Sequence, residues 1–178
     1  MYTPTKESTP QSRNLNSVKA SKKQNQIITP QELTPTVTEL EKVLGSETIL
    51  KFKTQSFHWN VEGPYFQSLH RLFEEQYEQL ESHIDVIAER IRALGFYAPH
   101  SLRALTLGSY VDDAIEANLN WKFMVETLRD DHKRLGKITT DAAKLASEEG
   151  DTATASMFDD LTLFHEKSAW MLSSALKI

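Results

Sequence analysis

Between Leu69 and Leu94 apolar side chains recur every three or four residues, at Leu69, Leu72, Phe73, Tyr77, Leu80, Ile84, Ile87, Ala88, Ile91 and Leu94. Gln76 is the one polar lapse. This is the period of an amphipathic helix, opened after the break at Gly63 and Pro64 and closed by Gly95, a suitable left-handed cap. Upstream, Val37, Leu40, Val43, Leu44, Ile49, Leu50, Phe52 and Phe57 predict a first long helix from Thr34 to about Asn60. Thr34 caps it and Pro35 takes its first position, and Thr29-Pro30 has the same form. Gly45 weakens this helix by about 1 kcal/mol, which a long ladder can absorb. A third helix is predicted over Asn120 to Glu149, with Trp121, Met124, Val125, Leu128, Leu135, Ile138, Ala142 and Leu145 on one stripe and Gly150 stopping it. Asp151-Thr152 then caps a fourth, in which Phe158, Leu161, Phe164, Ser168, Met171, Leu172 and Ala175 recur. The second and third helices are joined by about 25 residues, long for a structureless loop in a compact domain. The segment SYVDDAIEAN within that connection predicts a short extra helix. Four long helices with two short connections and one long crossover make an all-α four-helix bundle.

Beside the apolar stripe of the second helix runs another, formed on its polar face by His70, Glu74, Glu81, Asp85 and Glu89. His70 with Glu74, and Asp85 with Glu89, are each one turn apart, so either pair can chelate one ion. The two pairs cannot share an ion within one chain, because His70 and Asp85 are roughly 22 Å apart at about 1.5 Å per residue. The midpoint of His70 and Glu89 is 79.5, and so is that of Glu74 and Asp85. Two copies of the helix packed antiparallel about a two-fold axis near Gln79 and Leu80 would therefore set His70 against the mate's Glu89, and Glu74 against its Asp85. His58, twelve residues before His70 and across the Gly-Pro turn, falls at the same end. Two imidazoles and a carboxylate from one chain, with two carboxylates from its mate, suit iron(II), manganese or zinc. A row of carboxylates on a helix is most often a solvated face; the histidines and the shared midpoint favour the metal reading.

Other chemistry is sparse. No Glu stands three residues before any of the six histidines, which disfavours a di-metal centre inside one bundle. His83 and His132 fall near apolar stripes and, with His165, read as hydrogen-bonded core residues. Trp59 adjoins His58 at a helix end, a usual place for packing. There is no Gly-rich phosphate loop, nucleophile elbow or thiol.

Composition changes the picture in one place. The chain of 178 residues is 39% hydrophobic and 25% charged, enough for one domain with a sizeable core. No apolar run approaches a membrane span, the first residues lack the apolar core of a secretory signal, and the absence of cysteine fits a cytoplasmic protein. The net charge of −5 is unevenly spread: residues 1–29 carry Lys6, Arg13, Lys19, Lys22 and Lys23 against Glu7, a balance of +4, leaving −9 on residues 30–178. The first 28 residues are rich in Ser, Thr, Pro, Asn, Gln and Lys, a composition that buries too little surface to fold. They read as a flexible basic arm on an acidic body, able to contact nucleic-acid phosphates or simply to solubilise.

The stretch HWNVEGPYFQSLHRLFEEQYEQLESHIDVIAERIRALG, at 58–95, closely resembles the ferroxidase signature of the Dps family, the starvation-induced, DNA-protecting miniferritins. The segment FHEKSAWML looks like that family's closing helix, and the resemblance spans about Thr34 to Leu176. It implies a ferritin-like bundle with a small helix in the middle crossover, assembled as a homo-oligomeric, dodecameric shell. It also implies His58, His70 and Glu74 as iron ligands from one subunit, with Asp85 and Glu89 from its neighbour. Two such ferroxidase sites per dimer interface would turn Fe2+ to Fe3+, with hydrogen peroxide as oxidant, and ferric mineral would collect inside. Zinc and manganese are candidate substitutes. Trp59 is assigned a redox role beside the metal, and the arm a DNA contact in a cytoplasmic, nucleoid-associated setting. One departure stands out: Ser156 occupies a position that is acidic in many relatives and lines their iron-entry pore, although Asp159 and Asp160 lie nearby. The rival reading is a non-catalytic architectural DNA-binding protein that acts through its arms.

Overall fold

The structure, a computed structural model, describes residues 34–113 and 120–177. The expected basic arm, with Lys6, Arg13, Lys19, Lys22 and Lys23, and the Thr29-Pro30 helix start lie outside them.

Four long helices appear where the apolar period places them: α1 (Pro35–Asn60), α2 (Phe66–Ala93), and, after the short α3 (Leu102–Thr106), α4 (Trp121–Glu148) and α5 (Thr152–Ala175). Three of them start at side-chain caps, Thr34 and Asp151 as expected and Asn120, which the sequence reading placed inside its helix. Thr34 accepts from the Val37 N–H, Asn120 from Phe123 and Asp151 from Thr154, each satisfying an otherwise orphaned donor. α2 and α4 both close in Schellman turns. Phe96 N–H reaches Ile91 O while Gly95, at φ 93°, donates to Arg92 O; Asp151 and Gly150 repeat the pattern on Ala146 and Ser147.

α1 packs mainly on α2 and α4 on α5, while α1–α4 and α2–α5 contacts close the bundle. Together with the long crossover from α2 to α4, this is the ferritin-like arrangement. Arg90 in the last turn of α2 donates to Asp151 Oδ1 at 2.7 Å and so ties it to the start of α5. Among the described residues no helix is long and apolar enough to cross a membrane.

Two features depart from the sequence reading. Among the described residues the crossover holds a short helix at Leu102–Thr106, capped by Ser101, a stretch for which the sequence reading expected none. Of SYVDDAIEAN, the expected helix, residues 109–113 are not helical and 114–118 lie outside the described residues. The position of Leu102–Thr106 follows from Gly45. A Cβ there would stand 1.8 Å from Leu105 O, so a glycine in mid-helix is what lets the crossover backbone sit on α1. Phe52, on the expected apolar stripe of α1, is instead 61% exposed and meets Trp59 edge-on at 6.4 Å.

The core is divided. One apolar cluster holds Leu50, Phe57, Phe73, Leu80, Met124, Leu128, Leu135 and Leu172; the other holds Val37, Leu40, Leu44, Ile87, Ile91, Ala146, Phe158 and Leu161. The residues separating them along the helices include Glu47, His83, Thr139 and His165, so a polar layer crosses the bundle at mid-height.

Candidate metal centre

Five residues, Val61 to Tyr65, reverse the chain between α1 and α2, with Gly63 at φ 103° making the tight bend that an L side chain resists. The reversal lays His58, in the last turn of α1, over His70, near the start of α2. Their rings stack with centroids 3.7 Å apart and planes 20° from parallel. His58 Nδ1 is 2.8 Å from His70 O, and His70 Nδ1 is 2.8 Å from His58 O. A carbonyl oxygen only accepts, so both Nδ1 atoms carry the proton. In the neutral rings Nε2 is then the atom with the lone pair, the form in which imidazole binds a metal, and an outer-sphere bond of this kind also fixes the ring. Tyr77 meets the His58 ring edge-on at 5.3 Å, and Phe66 lies 5.1 Å from the His70 ring, so the pair is held from both sides. His58 is buried and His70 half-buried.

Glu74, one turn beyond His70, is half-buried, and its charge reaches Tyr77, whose hydroxyl burial raises above its ordinary range and Glu74 and Glu78 raise further. Asp85 and Glu89 are exposed in the far half of the helix, with no hydrogen bond or ion pair among the described residues. Glu81, on the same stripe, is taken by Lys51 at 2.8 Å, which removes it from the donor set. α2 is unbroken across 28 residues, so the His70 and Asp85 ends are held well apart in one chain. Among the described residues no three His, Asp or Glu side chains gather around a point that could hold an ion. Each chain thus presents two separate groups of donor side chains, one of imidazoles with a carboxylate and one of carboxylates alone.

Trp59 is 59% exposed beside His58. Ser156, Asp159 and Asp160 are all exposed on α5. His132 and His165 are hydrogen-bonded in the polar layer beside Glu47, in keeping with their reading as core residues, while His83 is half-buried, 3.7 Å from Glu47 Oε2 and without a hydrogen bond at Nδ1.

Glu47 is the residue that the sequence reading passed over. It is wholly buried, as is His165, and Glu47 Oε1 accepts from His165 Nε2 at 2.6 Å. The signal was present, because Glu47 falls on the apolar stripe of α1 between Val43 or Leu44 and Leu50. Lys53 sits on the same side and is buried against Asp131 of α4 at 2.7 Å.

The ferritin-like domain family matches residues 37–178. A low temperature-induced protein of Nostoc sp. is 38% identical over 143 residues, covering 78% of each chain. The DNA protection during starvation protein of Brevibacillus brevis is 32% identical over 138 residues, 78% of this chain and 92% of that one. Among solved structures, Dps from Staphylococcus aureus superposes with TM-score 0.77 at 33% identity, over 80% of this chain and 95% of that one. The Dps protein of Vibrio cholerae, described as a member of a broad superfamily of ferritin-like diiron-carboxylate proteins, superposes with TM-score 0.75 at 30% identity, over 80% of this chain and 89% of that one.

Proposed function

The chain belongs to the Dps family of ferritin-like proteins, and from that premise we propose that it is a ferroxidase that oxidises iron(II) at sites completed between two subunits. The observation that carries this reading is the reciprocal bond between His58 and His70, which engages both Nδ1 atoms and leaves Nε2 as the donor atom of each neutral ring at one end of α2, while Asp85 and Glu89 stand unengaged at the other. A two-fold pairing of α2 about Gln79 and Leu80 makes two identical mixed sites, each with His58, His70 and Glu74 from one protomer and Asp85 and Glu89 from its mate. Exposed Phe52, Trp59, Phe66 and Val86 give α1 and α2 apolar surface for that contact.

Three carboxylates and two neutral imidazoles offset the charge of iron in both oxidation states, which keeps the ion bound through electron loss. With peroxide as oxidant, two iron(II) ions each give up one electron, and with two waters the products are two FeO(OH) units and four protons. Both reagents of hydroxyl-radical formation are consumed, which protects DNA whether or not the protein touches it. Ferric product collects in a closed, dodecameric shell in the cytoplasm, and exposed Trp59 carries a stray oxidising equivalent beside the site. Zinc and manganese compete for the same donors. The basic arm, residues 1–29, adds DNA contact that many copies in one shell strengthen by avidity; the remaining residues form the bundle domain.

Anaerobic titration with iron(II), followed by peroxide and monitored by absorbance, tests the reading. Oxidation at a defined ratio of iron to protein, lost in His70→Ala, is the expected result. Iron binding without oxidation would reduce the protein to a metal store.

A further inference from the structure

Lys51 reaches from α1 to the outer face of α2, where its Nζ stands 2.8 Å from Glu81 Oε2. It lies two turns before His58 on the same face of α1. The lysine side chain is 25% exposed and that of Glu81 64%. An ion pair so open to water stabilises a lone chain very little.

At about 100° per residue, Glu81 falls between His70 and Glu74 around α2, and Glu78 falls between Asp85 and Glu89. Both carboxylates therefore stand in the row that holds the candidate iron donors. Their midpoint is 79.5, the value shared by His70 with Glu89 and by Glu74 with Asp85. A two-fold pairing of α2 thus sets Glu78 of each chain against Glu81 of its mate, twice over and close to the axis. Iron accounts for Glu74, Asp85 and Glu89, but it leaves Glu78 and Glu81 facing each other as like charges, which opposes association.

Few cations are placed to offset them. Glu78 is exposed and has no ion pair among the described residues. Arg71, on the same face of α2, is held by Glu75 at 3.0 Å. Lys51 bonds Glu81 directly, and it also acts on the surroundings of Glu78. Burial raises the Tyr77 hydroxyl, Glu74 and Glu78 raise it further, and Lys51 pulls it the other way, so all three charges reach one side chain.

We propose that Lys51 is the counter-ion of the α2 two-fold: it offsets the Glu78–Glu81 pairs that antiparallel pairing creates, so that a second copy of this chain can close on α2 and complete the metal sites. Each chain brings one lysine to two carboxylates, which halves the charge at the axis. Lys51 is a positioning residue, because it acts through the interface and not on iron. The inference rests on the two-fold pairing in the function proposed above.

Sedimentation velocity of full-length, iron-free protein at two salt concentrations tests it. At about 10 mM salt charges act over about 30 Å, and at about 1 M over about 3 Å. The wild type should stay associated in both. Lys51→Met, which keeps the apolar stem, should weaken association about tenfold or more in low salt and approach the wild type in high salt. Adding Glu78→Gln to Lys51→Met should restore association in low salt, and Glu78→Gln alone should tighten it. A Lys51→Met protein that associates like the wild type in low salt overturns the proposal. So does one that dissociates equally at both concentrations and is not rescued by Glu78→Gln, since that pattern marks a merely structural lysine. Iron(II) oxidation by the wild type is read separately. Its failure would remove the ferroxidase reading, whereas oxidation that persists without any effect of Lys51 would remove only the role of this lysine.

Discussion

His58 and His70 each bind the other's backbone carbonyl through Nδ1 at 2.8 Å, so each ring is anchored to the backbone of the opposite helix and cannot turn without breaking that bond. The lock joins the end of α1 to the start of α2 and sets both tautomers at once. Substitution of either histidine leaves its own carbonyl in place, so the other ring keeps its Nδ1 bond and loses only its stacked neighbour, and the two losses should be close to additive. Iron(II) oxidation rates of His58→Ala, His70→Ala and the double variant check this, and a double loss well short of the sum would mean that the stacking couples the pair.

Sharing of ligands between chains has a numerical signature. His70→Ala and Asp85→Ala should each be inactive. In randomly co-assembled shells half the interfaces are mixed and each mixed interface regains one of its two sites, so about a quarter of full activity should return. Oxidation rates after dissociation and reassembly of the mixture decide the matter, and no recovery would mean that each chain holds its iron alone.

Gly45 reverses the sign expected from helix propensity. In isolation Gly→Ala in mid-helix should stabilise by about 1 kcal/mol. Here the added methyl would meet Leu105 O at 1.8 Å, and a backbone atom cannot turn aside as a side chain does. Gly45→Ala is expected to destabilise by about 1–3 kcal/mol, read as a lowered midpoint in urea unfolding.

Acid stability should follow the polar layer. His132 lies well below its unfolded value near 6.5, so the unfolded chain binds more protons below that pH and stability falls as pH drops through this range. Glu47 acts lower: its carboxylate contributes stability above about 4.5 that is lost as pH falls toward 2. The melting temperature of the wild-type protein should therefore decline more steeply from pH 7 to 5 than that of His132→Gln.

The Lys53–Asp131 pair is a stability risk rather than a reserve. Burial raises the Asp131 carboxyl despite the bond from Lys53, a sign that desolvation outweighs the attraction. Lys53→Met alone strands a buried carboxylate and should cost about 3–5 kcal/mol, while Lys53→Met with Asp131→Leu should recover most of it. Chemical denaturation of the two variants makes the comparison.

Deletion of residues 1–28 separates the two activities. DNA retardation should disappear while iron oxidation survives, and retardation that persists at low salt would assign DNA contact to the bundle itself.

The sequence by itself determined the helices, because each buries one face and the three-and-four period of Leu69 to Leu94, or of Trp121 to Leu145, is a local property. It also determined the caps at Thr34 and Asp151, whose side chains act within their own first turn, and the arithmetic that pairs His70 with Glu89 and Glu74 with Asp85. The tertiary structure decided what depends on distant segments meeting. α3 lies at Leu102–Thr106 because Gly45 of α1 opens a seat for it. Glu81 left the ligand row because Lys51 reaches it across the α1–α2 interface. Glu47, unremarkable as one polar lapse on an apolar stripe, became the acceptor for His165 of α5 because only a closed bundle desolvates a carboxylate beside imidazoles from two other helices. Periodicity records which face is buried, but not which partner waits there.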